Sequence, residues 1–333
     1  MKNSIITGIG HYVPDRVVTN FDLEKILDTT DAWIQERTGI RERRHVIPGE
    51  QSNYDLAIEA SKNALNDAGM EAHDIDLIIY ATLSPDYVFP GDGVLLQRSL
   101  PFRNIAAIDI RAQCSGFIYS LSVADQFIKT GMYRNILVVG SELHSVGLDY
   151  SNHGRHVSVI FGDGAGAVVL TPTDELNKGI LSTHLHSEGQ YAEELAVIDP
   201  GFYKKDRITS EMYKPGGSAF PVMNGQSVFK HAVVRFQEVI QEALKANHLT
   251  LDDIDLLIPH QANLRISQLV QKKLGLSDDK VYNNIMRYGN TTAASIPIAL
   301  NEARSENKIK EDSLVCLATF GSGFTWASAL IKW

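Results

Sequence analysis

Two cysteines are the candidate nucleophiles among these 333 residues, and their surroundings differ. Cys114 follows a strand-like apolar run, 105–110, and precedes Phe117, Leu121, Ala124, Phe127 and Ile128, which recur at helical spacing. A thiol at a helix N-terminus faces free backbone N–H groups and the positive end of the helix dipole. Both favour a thiolate and predict a lowered pKa. A small buried core thiol is the other reading of the same position. Cys316, inside the apolar run 314–318, reads as core packing. His260 ends the run 256–259, at the strand-to-helix corner where α/β proteins place their chemistry. Asn290 opens a segment rich in Ala and Ser, where it is either an N-cap or a side-chain donor. Gly321-Ser322-Gly323 follows the run 314–318, and glycines so placed let backbone N–H groups approach a ligand as an oxyanion hole. Gly162 to Ala167 satisfies G-x-G-x-x-A formally, but it leads into the strand-like 168–170 and not into a helix, which excludes a dinucleotide site.

Apolar runs at 77–81, 105–110, 136–139, 167–170, 256–258 and 314–318 alternate with helix-period segments, so the fold class is α/β. The pattern also repeats. Ala64-Leu65 with Asp74 to Leu77 reappears as Ala243-Leu244 with Asp253 to Leu256, a constant offset of 179 residues (from 64 to 243). A period this long suits two fused homologous halves, 1–174 and 175–333, joined near 172–178. In that scheme Cys114 and Asn290 occupy corresponding corners, and His260 ends the counterpart of the run at 77–80. Pseudo-symmetric packing would bring the three together. The irregular stretch 199–222, with Pro215, Gly216, Gly217 and Pro221, reads as a loop-rich cover over a cleft.

Composition narrows the function classes. At 44% hydrophobic the chain can bury a substantial core. No run approaches the length of a membrane span, and Met1-Lys2-Asn3 leads directly into the apolar 4–9, so a cytoplasmic protein is expected. Two cysteines make neither a disulfide framework nor a Cys-rich metal site, and no metal is expected. A formal charge of −9 argues against a broad nucleic-acid surface. Positive charge is nevertheless concentrated at Arg37, Arg41, Arg43 and Arg44, with Trp33 one helical turn before Arg37. Such a site suits an adenine and a phosphate, although a solvated helix end has the same pattern.

The motifs together resemble the β-ketoacyl-acyl-carrier-protein synthase III family, over essentially the whole chain. They are Gln113-Cys114-Ser115-Gly116-Phe117, Pro259-His260 to Arg265, Tyr288 to Ser295, Phe320 to Trp326, Asp31 to Arg43 and Phe161 to Gly166. The resemblance implies a five-layer αβαβα thiolase-like fold of two duplicated halves, working as a homodimer with coenzyme A thioesters as substrates and no cofactor. It implies that Cys114 takes an acyl group from acyl-CoA. His260 and Asn290 then hold a malonyl thioester carbonyl on acyl carrier protein during decarboxylation, and the N–H groups of Cys114 and Ser322 hold the oxyanion. Coenzyme A would contact Trp33, Arg37, Thr38, Arg155 and Asn263. The carrier protein would contact Gln261, Ala262, Asn263, Leu264, Arg265, Lys230 and Lys272, and Phe89 would reach a partner's acyl pocket. Departures are Ser322 for a glycine, Gly154 for an aspartate, and the bulky Arg111-Ala112-Gln113 before the nucleophile. The last of these keeps a specialised condensing enzyme of the quinolone or resorcinol type as the alternative to fatty-acid initiation with acetyl-CoA. A papain-like hydrolase, a degradative thiolase with Cys316 as its second cysteine, and a non-catalytic acyl-binding protein are the rival classes.

Overall fold

Most of the apolar runs become strands covered on both faces, whereas the run at 105–110 forms an outer, partly exposed strand. The computed structural model describes residues 3–175 and 177–333. Met1, Lys2 and Leu176, which enter the leader and junction readings above, lie outside the described residues.

The strands are β1 (Asn3–Tyr12), β2 (Val17–Thr19), β3 (Glu42–Arg44), β4 (Leu77–Ala81), β5 (Ala106–Ile110), β6 (Ile136–Glu142), β7 (Gly164–Thr173), β8 (Gly179–Ser187), β9 (Leu195–Ala196), β10 (Val222–Met223), β11 (Leu256–Pro259), β12 (Leu314–Gly321) and β13 (Thr325–Lys332). The helices are α1 (Asn20–Glu24), α2 (Asp31–Thr38), α3 (Asn53–Ala68), α4 (Asp92–Ser99), α5 (Gly116–Lys129), α6 (Arg155–Ser158), α7 (Gly225–Ala246), α8 (Leu264–Leu274), α9 (Ile285–Tyr288) and α10 (Ser295–Ser305).

One sheet has the order β1-β7-β6-β4-β5, the other β8-β13-β12-β11, and short ribbons join β2 to β3 and β9 to β10. β4 runs parallel to β6, as β11 does to β12, while β1 pairs antiparallel with β7 and β8 antiparallel with β13. The bridge Leu257↔Val281 stands where β4 pairs with β5 in the first sheet. The two sheets therefore share one topology.

Alternation along each strand divides the core into layers. Leu77, Ile79, Val315 and Leu317 face inward onto α5 and α10, meeting Phe117, Leu121, Ile296 and Leu300. Ile78 and Tyr80 face outward beneath α3. Leu257, Cys316 and Phe320 face outward beneath α7 and α8. The result is helix, sheet, helix pair, sheet, helix. Helix ends follow ordinary capping chemistry: Ser52 and Asp55 form a capping box on α3, and Gly69 closes it in the left-handed conformation.

The two central helices begin at the same place. A Cβ on Gly116 would lie 3.0 Å from Ala81 Cβ and 3.6 Å from Ala293 Cβ, so the 3-10 turns before α5 and α10 are close-packed. The expected cover is held by side chains: Asp199 accepts from Ser218 and Lys204, and Asp149 accepts from Gly216 N at 2.8 Å. The β8 and β13 strands were not anticipated. Strand β8 carries Ser182, Thr183, His184 and His186 at a sheet edge, so its apolar run is broken.

Candidate active site

Cys114 occupies a 3-10 turn, Gln113–Ser115, that feeds α5. Thr319 Oγ1 on β12 donates to the Cys114 carbonyl at 2.9 Å and ties the turn to the second sheet. The backbone N–H groups of Ser322 and of Cys114 itself are directed at the thiol. Gly321 permits this approach, since a Cβ there would stand 2.8 Å from Cys114 Sγ.

The expected lowering of the thiol pKa is not found. Burial, and secondly the carboxyl of Glu142, push Cys114 up to about 12. The two N–H groups oppose that shift without overcoming it, so the resting nucleophile is a neutral thiol.

His260 continues the β11 ladder by donating its N–H to Ala318 O at 2.8 Å. Its Nδ1 lies 2.6 Å from Ser295 Oγ, whereas its Nε2 is buried without a partner among the described residues. Ser295 Oγ also accepts from Gln261 N at 3.4 Å. Its own proton is then free to go to Nδ1, a pattern that leaves the ring proton on Nε2 as a donor aimed into the site. Burial lowers the imidazole pKa to about 3, so the ring is neutral.

Asn290 is held by its backbone: its N–H donates to Ile160 O and its carbonyl accepts from Gly162 N. The side-chain oxygen accepts from Thr292 N at 2.8 Å. The amide nitrogen has no hydrogen bond to another described residue, so the side chain presents a donor. Neither plain reading of this residue is complete, because Asn290 both closes a turn and offers Nδ2.

Cys114, His260 and Asn290 line one cavity of about 120 Å³, with Phe161, Leu195, Met223, Phe229 and Phe320 as apolar walls. A nucleophile, two neutral donors and a pair of N–H groups in a pocket with apolar walls can stabilise an oxyanion and an enolate. Cys316 lies on the outer face of β12 and does not join them.

At the cavity mouth, Ala262 and Asn263 join the lining. Asn263 caps α8 through Arg265 N and donates Nδ2 to Arg37 O at 2.9 Å, so it binds α8 to α2. Trp33 has the Arg37 guanidinium 4.5 Å and the Arg155 guanidinium 5.4 Å from its ring centre. A flat ring needs about 3.5 Å on each face. Arg155, which bonds Asp28, must therefore swing aside to admit a base.

Several residues expected at the contacts make bonds within the chain. Thr38 is buried, donating to Ile34 O at 2.7 Å and accepting from Ile40 N, so its hydroxyl finishes α2. Gln261 is also buried: Nε2 donates to Pro259 O, and Oε1 accepts from Asn284 N and Ile285 N. It fastens the loop before α8. Leu264 packs into the cluster of Ile34 and Ile40. Arg111 reaches Leu83 O at 3.5 Å, and neither it nor Gln113 lines the cavity. By contrast Arg265, Lys272 and Lys230 are exposed on α8 and α7, which pack together. Glu142 had no sequence signal. It accepts from Ser84 Oγ, Leu83 N and Ala293 N, and burial raises its carboxyl to about 7.

Comparison with known proteins decides the family. Two family models match: 3-oxoacyl-acyl-carrier-protein synthase III over residues 108–189, and its C-terminal model over 244–333. The chain is 46% identical over 337 residues to the β-ketoacyl-acyl-carrier-protein synthase III of Alkalilimnicola ehrlichii, covering 100% of both chains. The chain belongs to the synthase III family. The enzyme of that name from Caldanaerobacter subterraneus is 46% identical, over 98% of this chain and 97% of the other. Among solved structures, the Aquifex aeolicus synthase III superposes with a TM-score of 0.90 at 42% identity, covering 99% and 100% of the two chains. A priming β-ketosynthase from the R1128 polyketide pathway superposes at 0.91 with 31% identity, over 99% and 96%. These likenesses show the thiolase-like synthase III fold and a condensing acyltransferase. Among the described residues no group of His, Cys, Asp and Glu is placed to hold a metal, and no helix is long and apolar enough to cross a membrane.

Proposed function

We propose that the chain joins an acyl group from acyl-CoA to malonyl-acyl-carrier protein, giving a 3-oxoacyl-carrier protein and starting fatty-acid synthesis. The observation that carries this reading is the convergence of the Cys114 thiol, the unpartnered His260 Nε2 and the Asn290 amide on one apolar cavity. In the first step the Cys114 sulfur bonds to the acyl carbon, and the bond to the coenzyme sulfur breaks. The thiol proton leaves with coenzyme A. The N–H groups of Ser322 and Cys114 face the oxygen that becomes negative. Because the resting thiol is neutral, its charge develops only when that oxyanion is being held.

In the second step the malonyl thioester loses carbon dioxide, and its electron pair becomes an enolate whose oxygen accepts from His260 and Asn290. The enolate carbon attacks the acyl-cysteine carbon, the thiolate leaves, and a proton restores the thiol. Both donors are neutral and preorganised, so no proton need move to stabilise the enolate. The reaction as written needs no cofactor.

Coenzyme A enters past Trp33, Arg37 and Arg155, with Ala262 and Asn263 at the tunnel mouth. Arg265, Lys272 and Lys230 form the exposed basic face for an acidic carrier protein. Residues 1–174 and 175–333 are the two fused halves, which the matching strand order supports. A homodimer completes the site. β5 is an outer strand, and Phe89, 79% exposed with Tyr87 and Val88 beside it, is an apolar surface in need of cover.

Relatives that bear the β-ketoacyl-acyl-carrier-protein synthase III name at 46% identity over the whole chain favour fatty-acid initiation as the first reading. The test is condensation of acetyl-CoA with malonyl-carrier protein. Cys114→Ala should abolish product while retaining some malonyl decarboxylation. Product from Cys114→Ala would refute the covalent route, and a monomer by sedimentation would refute the shared site.

A further inference from the structure

His144 lies just past β6 and is buried, yet it does not line the cavity. Its ring centre lies 4.7 Å from that of Phe161, a cavity wall, with the planes tilted by 41°, and its Nε2 lies 2.7 Å from Thr292 Oγ1. Thr292 in turn donates its N–H to Asn290 Oδ1 and sits at a φ of 50°, a left-handed conformation that costs a β-branched residue energy. The backbone of His144 is pinned as well, since the N–H groups of His144 and Ser145 both donate to Asp163 Oδ1. Glu142 reaches the next residue of the same turn, accepting from Ala293 N at 3.4 Å.

We propose that His144 is a positioning residue for condensation: its bond to Thr292 holds the strained turn so that Asn290 Oδ1 stays engaged and Nδ2 faces the thioester carbonyl. This rests on the role given to Asn290 above. A side-chain amide has two nearly equivalent orientations, and only one offers a donor to the site. Thr292 N–H selects that orientation only while Thr292 keeps its own conformation. The Nε2 bond from outside the cavity wall supplies the restraint. Burial keeps the imidazole well below its usual pKa range, so it is neutral and its bond to the hydroxyl does not depend on assay pH. Acyl transfer to Cys114 uses the N–H groups of Ser322 and Cys114 instead, and His144 touches neither.

The test compares His144→Leu, which keeps volume but loses the bond, Thr292→Val, the double variant, and His144→Gln, whose amide nitrogen can reach the Nε2 position. Rates of Cys114 acylation by acetyl-CoA and of malonyl-carrier-protein decarboxylation are measured separately, with thermal unfolding beside them. His144→Leu and Thr292→Val should each slow decarboxylation and condensation about tenfold in kcat, leaving acylation within about twofold. The double variant should be no worse than either single one, and His144→Gln should recover most of the loss. If acylation and decarboxylation fall together in step with melting temperature, or if decarboxylation is unchanged in both single variants, the positioning role is overturned. If the parent protein acylates Cys114 but decarboxylates no malonyl thioester, the reading of Asn290 fails and this proposal falls with it.

Discussion

Gly321→Ala tests the oxyanion geometry through a single methyl group. The added Cβ would stand 2.5 Å from Cys114 Cβ and 2.8 Å from Sγ. Carbon atoms in contact sit at about 3.5–4.0 Å, so the end of β12 and the Cys114 turn must part by about 1 Å. Overpacking of that size costs about 1–3 kcal/mol of stability, which a chain with this much buried core survives. The larger consequence is local, because Ser322 is the next residue and its N–H moves off the developing oxyanion. Loss of one such donor slows acyl transfer by about 10²–10³-fold. The assay is the rate of acetyl transfer to Cys114, followed by intact mass after rapid quenching. Acylation should fall about a hundredfold or more, while malonyl decarboxylation by His260 and Asn290 should fall far less. Acylation within about threefold of the parent rate would refute the assignment of the Ser322 N–H.

Three further outcomes are expected. Because burial and Glu142 hold Cys114 at about 12, alkylation by iodoacetamide should rise about tenfold per pH unit from pH 7 to 10 without a plateau; a plateau near pH 7 would restore a helix-activated thiolate. Cys316→Ala should cost about 1 kcal/mol in urea unfolding and leave condensation within about twofold, since the side chain lies beneath α7; loss of activity would reopen the two-cysteine mechanism. Arg265→Glu with Lys272→Glu should raise KM for malonyl-carrier protein about tenfold and flatten its salt dependence, with acetyl-CoA acylation unchanged; an unaltered KM would remove this face from docking.

Strands covered on both faces were legible because nothing interrupts their apolar runs: Leu77 to Ala81 and Leu314 to Ala318 read directly from sequence. The repeated helix-loop-strand unit pointed to two sheets of like order, and with them to the corners that hold Cys114 and Asn290. What sequence could not show is what distant residues do to one another. The thiol pKa runs against the local expectation because the α5 dipole is local, whereas burial and Glu142 act through the tertiary fold. Gln261 and Thr38 carry polar side chains beside motif residues, yet both turn inward to satisfy nearby backbone groups. His144 and Glu142 gave no signal, because their partners at 292 and 293 are about 150 residues further along the chain.

The covalent mechanism is tested most directly by peptide-resolved mass spectrometry of the protein, first after acetyl-CoA and then after malonyl-carrier protein is added. The structure predicts a single acetyl group on Cys114, none on Cys316, and its disappearance as 3-oxoacyl-carrier protein forms. An unmodified Cys114 in protein that still makes product, or an acetyl group that survives the second addition while product accumulates, would contradict it.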